Sequence, residues 1–287
     1  MPFRTSASAK TYREIWTKEG SPLLVHGKNL TAKIRSQFAD EVAIELAMRY
    51  QEPSIHNGLE SLRAQKVSKI LVVPLFPQYA SATTGSIHEK VMEIVSGWQV
   101  VPEMCFVDHF YEQQGMIEAF AANGKKYDPN SYDHVLFSFH GLPERHIKKA
   151  DSCNFCLKDS CCDKLQVENQ LCYKAQCHAT ARAVADQCSL AEKKYTICFQ
   201  SRLGKDPWIE PFTSQVVQKL AKEGKKKVLV FCPAFVADCL ETTFEIGKEY
   251  REDFIEAGGE QLDLVESLNA GQNWVMALAD LIKSKLG

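Results

Sequence analysis

Short, nearly continuous apolar runs alternate with longer amphipathic stretches along this chain, and no other feature restricts its fold as strongly. The runs KILVVPLF (69–76), CFVDHF (105–110), HVLFSF (134–139), YTICFQ (195–200) and KVLVFCP (227–233) are rich in Val, Ile, Leu and Phe. Bounded by polar, Gly or Pro residues, they read as strands buried on both faces. Helical periodicity predicts helices over Leu30–Gln51, Ser86–Gly97, Gln176–Cys188, Thr213–Glu223 and Thr242–Glu256. Strands alternating with helices imply an α/β fold with parallel sheets. The 287 residues suffice for one or two domains, each with a sizeable core.

Within that pattern there is an internal echo. VVPLFPQYASATTG begins at Val72 and FCPAFVADCLETTF at Phe231, a displacement of 159 residues that aligns Pro74 with Pro233 and Thr83–Thr84 with Thr242–Thr243. Chance likeness between two α/β units is one explanation. The other is a pair of similar domains, each ending a strand in a Pro-containing loop, with a ligand cleft between the sheet ends.

The formal net charge of −2 gives no basic excess to attract nucleic acid. The apolar runs are too short to span a bilayer, and the first residues lack a signal-peptide core. The expectation is a cytoplasmic protein, with a peripheral membrane contact left open. In a reducing compartment structural disulfides are disfavoured. Yet six of eleven cysteines, Cys153, Cys156, Cys161, Cys162, Cys172 and Cys177, crowd into the polar stretch 151–177. A disulfide staple, a zinc site and an iron–sulfur cluster compete there, and the polar surroundings favour metal binding.

Three further segments carry chemistry-bearing residues. His140 directly follows a strand pattern and precedes Gly141 and Pro143. It either holds the turn by hydrogen bonding or faces the crevice as a proton acceptor or metal ligand. Glu241, Glu245 and Glu249 lie four apart, so a helix places them on one face: a solvated face, or a line of carboxylates leading a cation or protons into the crevice. Gln200 and Ser201 stand at another strand end, ahead of Trp208.

These segments resemble the ferrochelatases, which insert ferrous iron into a porphyrin to make haem. RTSASAKTYREIWTKEGSPL, VPLFPQYASATTGS, SFHGLPERH, QSRLGKDPW, DCLETTFEIGKEY and ESLNAGQNWVMALADLI occur in the family's order. The resemblance implies two doubly wound domains with porphyrin between them. It places the first at 1–120 joined by the terminal helix 270–287, and the second at 121–269 with the cysteine-rich insertion 151–177. It makes His140 the active-site histidine, Glu241 its acidic partner, and Glu245 and Glu249 the acidic path for the substrate Fe²⁺. Gln200, Ser201 and Trp208 match pocket residues, and Arg4, Tyr12 and Ser21 match positions near the porphyrin. Cys239 stands where some relatives carry a second histidine. The resemblance further implies a [2Fe–2S] cluster held by four of the six clustered cysteines, and protoporphyrin IX ahead of coproporphyrin III. Relatives usually begin earlier, so a first-domain strand is expected to be missing. A porphyrin- or haem-binding or iron–sulfur sensing protein without turnover is the alternative; oligomeric state is not legible.

Overall fold

The computed structural model describes residues 11–38 and 42–286. Its elements alternate as the apolar pattern predicts, and every strand pair is parallel. A small sheet pairs β1 (Lys69–Val72) with β2 (Glu103–Phe106). A larger sheet runs in the order β4–β3–β5–β6, where β3 is His134–His140, β4 Tyr195–Gln200, β5 Lys227–Phe231 and β6 Gln261–Leu264.

The larger sheet shows why a continuous apolar run becomes a central strand. Side chains alternate faces along a strand, so a strand covered on both sides needs apolar residues at every position. On one face, Val135, Phe137 and Phe139 of β3 join Leu229 and Phe231 of β5 in the main core. On the other, Leu136 joins Val228 and Val230 in a second cluster. Phe137 stacks on Phe231 at 5.1 Å. Each fully buried side chain of this size contributes roughly 1.5–3 kcal/mol of transfer free energy.

Nine α-helices have bounds in the described residues: α1 (Pro22–Arg35), α2 (Ile55–Ala64), α3 (Ser86–Val95), α4 (Gln114–Lys125), α5 (Glu144–Ala150), α6 (Tyr173–Gln187), α7 (Thr213–Lys222), α8 (Arg251–Glu256) and α9 (Gln272–Leu286). α2 and α3 close a small core over β1 through Ile55, Leu59, Ile70, Val91, Val95 and Trp98. α9 packs on α4 and α1, burying Trp274, Val275 and Leu278, and the Lys69 Nζ donates to the carbonyl of Leu286 at 3.1 Å. The expected division at residue 120 falls inside α4, which packs on both α9 and α6.

The predicted helix Leu30–Gln51 is a correction. α1 starts earlier, where the Ser21 Oγ accepts the amide of Leu24 and Pro22 opens the first turn. It stops at Arg35, and the apolar residues beyond belong to an extended segment lying between two helices. Leu46 lies against Gly27 of α1 and Ala47 against Gly58 of α2. Apolar spacing that continues a helical period thus serves a different packing. β6, too short and too polar to read as a strand, pairs with β5 through Val228↔Leu262.

The internal echo has a structural counterpart. A wide π-type turn begins at Ser81 (Ser81–Gly85) and a longer π-helical stretch at Leu240 (Leu240–Tyr250), the same 159 positions apart, each running into an α-helix. Each follows a parallel strand and its Pro-containing loop.

Candidate active site

The carboxyl ends of β3 and β4 set the first residues. His140 closes β3, half-buried, in register with Gln200 at the end of β4. Its Nδ1 lies 2.6 Å from the carbonyl oxygen of Gly141. A carbonyl only accepts, so Nδ1 carries the proton, and the tautomer that this contact selects has its lone pair on Nε2. Trp208 and Phe235 flank the ring, each with centroids 6.4 Å away. Gly141 allows this crowding: a Cβ there would lie 2.9 Å from the Gln200 carbonyl and 3.1 Å from the Trp208 ring. The Trp208 Nε1 is buried without a hydrogen-bond partner among the described residues.

Gln200 is a buried hub. Its Oε1 accepts from the Ser138 hydroxyl at 2.7 Å, and its Nε2 donates to the Glu241 carbonyl at 2.7 Å and to Glu245 at 3.1 Å. The amide is therefore occupied within the protein, tying the ends of β3 and β4 to the π-helical stretch. Ser201 follows with φ +63°, a left-handed conformation that aims both its amide and hydroxyl at Glu245, at 2.8 and 2.6 Å. Tyr250 donates to the same carboxylate at 2.8 Å. Glu245 thus accepts four hydrogen bonds and is a fixed anchor.

Glu241 sits one position past Cys239–Leu240, where the π-helical stretch starts, and Cys239 closes a reciprocal cap with Thr242. Burial, then the charge of Glu241, pushes the Cys239 thiol well up. Burial, then the charges of Glu241 and Cys239, likewise raise the Tyr12 phenol. Glu249 is raised by partial burial and by Glu245, Asp253 and Glu252. Ser21 serves as the helix cap described above, and Arg4 lies outside the described residues.

The cysteines divide. Cys156, Cys161, Cys162 and Cys172 are buried neighbours, with the Cys161 and Cys162 sulfurs 3.6 Å apart. Hydrogen bonding from Cys162, with help from Cys156 and the amides of Ala175 and Lys174, draws Cys172 down to about 6. Cys162 is raised by that same bond, and Cys156 chiefly by burial. Cys153 is exposed and bonds to Asp151 and the Glu168 carbonyl, while Cys177 is fully buried beside Tyr173. Polar side chains order the loop: Asp151 accepts the Cys156 amide at 2.7 Å, buried Asn169 donates to the Cys161 carbonyl at 2.7 Å, and Arg182 reaches the Cys162 carbonyl at 3.0 Å. The backbone bonds of Asp151, chiefly from Cys156, hold its carboxyl down at about 2. The quartet is a chain of pairwise contacts. Among the described residues no group of three or more His, Cys, Asp or Glu side chains is already gathered around one metal position.

Two residues near the site had no sequence signal. Tyr250 lies five residues beyond Glu245, outside the acidic row. Tyr173 donates its hydroxyl to the His140 carbonyl at 2.8 Å from a helix contributed by the cysteine-rich segment. Such partnerships depend on tertiary placement.

A family profile described as "Ferrochelatase" matches residues 1–286. A ferrochelatase of Legionella pneumophila (strain Paris) is 41% identical over 286 residues, covering 100% of this chain and 85% of that protein. One from Pseudomonas putida is 44% identical over 282 residues, covering 97% and 83%. Among solved structures, SirB from Bacillus subtilis with Fe³⁺ superposes with a TM-score of 0.61 at 15% identity, covering 93% of this chain and 92% of that one. CbiX, described as the terminal enzyme of siroheme biosynthesis in denitrifying bacteria, gives 0.53 at 12% identity, covering 97% and 94%. At these identities the structural matches show the fold, two Rossmann-like units with parallel sheets.

Proposed function

This chain belongs to the ferrochelatase family, and from that premise we propose that it inserts Fe²⁺ into a porphyrin to form haem, releasing the two inner N–H protons. The observation that carries the reading is the pairing at adjacent strand ends. A half-buried imidazole ends β3 in register with Gln200, whose side-chain amide donates to the Glu241 backbone carbonyl and the Glu245 carboxylate, so one hub ties the histidine's strand end to the start of the acidic row. Insertion requires proton acceptors close to the ring and a cation stripped of part of its water. We assign proton acceptance to His140 Nε2 and the partnering acid–base or metal-guiding role to Glu241. Glu249, which resists ionisation, fits the outer end of an acidic path; Glu245 holds the path's geometry. Trp208 and Phe235 form an apolar wall, and Tyr12 lies on the approach to Glu241. Protoporphyrin IX is our preferred substrate over coproporphyrin III.

A [2Fe–2S] cluster completes the reading. Four buried, adjacent thiols, one already drawn toward the thiolate, are a donor set of the right kind and number, and Cys156, Cys161, Cys162 and Cys172 would hold it. Such a cluster supplies a cross-link and an electron reservoir, and metal insertion transfers no electron. A cytoplasmic setting, where thiols stay available to a metal, is the compartment we assign. No helix among the described residues is long and apolar enough to cross a membrane. Exposed Tyr12, Trp16 and Leu23 offer apolar surface for a peripheral contact.

Anaerobic assay of the purified protein with Fe²⁺ and porphyrin tests the activity. Haem absorbance should rise with time in proportion to enzyme, and tight porphyrin binding without turnover would defeat the proposal. Iron and acid-labile sulfide should each be about two per chain. Cys172→Ser should lose them and Cys153→Ser retain them; stoichiometric zinc without sulfide would overturn the cluster.

A further inference from the structure

The His140 carbonyl needs a partner that the sheet does not provide. In the β3–β4 ladder the Gly141 amide donates to the Gln200 carbonyl at 2.8 Å. In a parallel pair this registration turns the peptide groups of His140 itself toward the opposite neighbour. That neighbour, β5, stops at the Phe137↔Phe231 pair, three residues short. The Tyr173 hydroxyl fills the gap at 2.8 Å.

Tyr173 is the first residue of α6, and Cys172 is the residue that caps it. One turn along, the Gln176 Oε1 accepts the Tyr79 amide at 2.7 Å, in the Pro-containing loop after β1. Thr180, a further turn along, accepts from Gln78 at 3.0 Å. The start of α6 therefore joins three places: the thiol quartet through Cys172, the histidine through Tyr173, and the loop of the smaller sheet through Gln176.

We propose that Tyr173 is a positioning residue for His140, transmitting the geometry of the cysteine site to the metal-insertion site. The inference rests on the chelatase reading of His140, and holds whichever group the thiols bind. Drawing the quartet together fixes the Cys172 backbone and with it the direction from which the phenol meets the His140 carbonyl. Releasing the quartet frees that turn, and the imidazole loses its orientation while the porphyrin walls formed by Trp208 and Phe235 remain.

The test uses the complete protein. Wild-type turnover of Fe²⁺ and porphyrin comes first, because its absence removes the chelatase reading itself. Tyr173→Phe should keep the metal and sulfide content of the wild type, bind porphyrin with unchanged fluorescence-titration affinity, and lose about tenfold in kcat, the scale of one lost hydrogen bond to the part-buried His140 carbonyl. Its pH–rate profile should shift on the limb that reports the proton acceptor. Cys172→Ser should show the same split between kcat and KM. The double variant should be no slower than the slower single one. Wild-type kcat and pH profile in Tyr173→Phe would overturn the proposal. So would additive losses in the double variant, or loss of bound metal on removing the hydroxyl, which would make Tyr173 a scaffold of the thiol site.

Discussion

A hydrogen bond to the Gly141 carbonyl fixes which nitrogen of His140 is free, and the proposed chemistry depends on that choice. His140→Ala removes the acceptor but little of the contact area of a large apolar ring. Haem formation should fall by at least 10²-fold, the usual scale for a positioned general base, while porphyrin fluorescence titrations stay near wild type. Glu241→Gln keeps the shape and removes the charge, and should also impair turnover; wild-type rates in both would end these assignments. Glu241 was visible in the sequence through the four-residue spacing it shares with Glu245 and Glu249, whereas His140 was visible because it follows a strand-like run directly, so its place at a sheet end came with the strand. Gln200 and Ser201 were visible for the same reason. Their roles were not: the Gln200 amide is consumed by Ser138, Glu241 and Glu245, partners distant in sequence that only folding assembles.

Among the elements, β3 and β5 were legible because their apolar runs had no other use, whereas β6 was hidden by Gln261 and Asp263 on a partly exposed strand. The close approach of α4 to the sheet left only a glycine as its trace. A Cβ on Gly124 would collide with the Phe231 ring, which stacks on Phe137. Gly124→Ala should cost about 1–3 kcal/mol by overpacking, despite its better helix propensity. Urea unfolding should show a lower midpoint with an unchanged slope; equal midpoints would mean the helix moves off freely. At the opposite end of β3, burial first, then Lys225 and Lys194, lower the pKa of His134, with Glu223 opposing. Its Nε2 meets the Thr196 hydroxyl at 2.8 Å. A folded pKa below the unfolded one gives stability that is complete above about 6.5 and lost as pH falls below it. His134→Gln should therefore flatten the decline in melting temperature between pH 6.5 and 5, and an unchanged slope would refute the assignment.

At the scale of the molecule, α9 returns the chain end to α1, α4 and β1, so early and late segments fold as partners. Trp274 is 1% exposed and stacks against Phe110 at 5.9 Å. Trp274→Ala should cost roughly 3–5 kcal/mol; a melt unchanged from wild type would show α9 to be an appendage. The smaller sheet has β1 and β2 as its strands among the described residues.

The two π-type turns, 159 positions apart, begin alike but carry different electrostatics. Stepping back by that displacement, Glu241, Glu245 and Glu249 correspond to Ala82, Ser86 and Lys90. Where the second unit holds the Glu245 carboxylate, the first has Ser86, whose hydroxyl accepts from the Arg49 guanidinium at 2.9 Å. Were a flat ligand to lodge between the units, as the proposed function requires, the carboxylates on one side would find no counterpart on the other, since Lys90 is already paired with Glu93. Its two faces would then cease to be equivalent, and a dication would be drawn from one side.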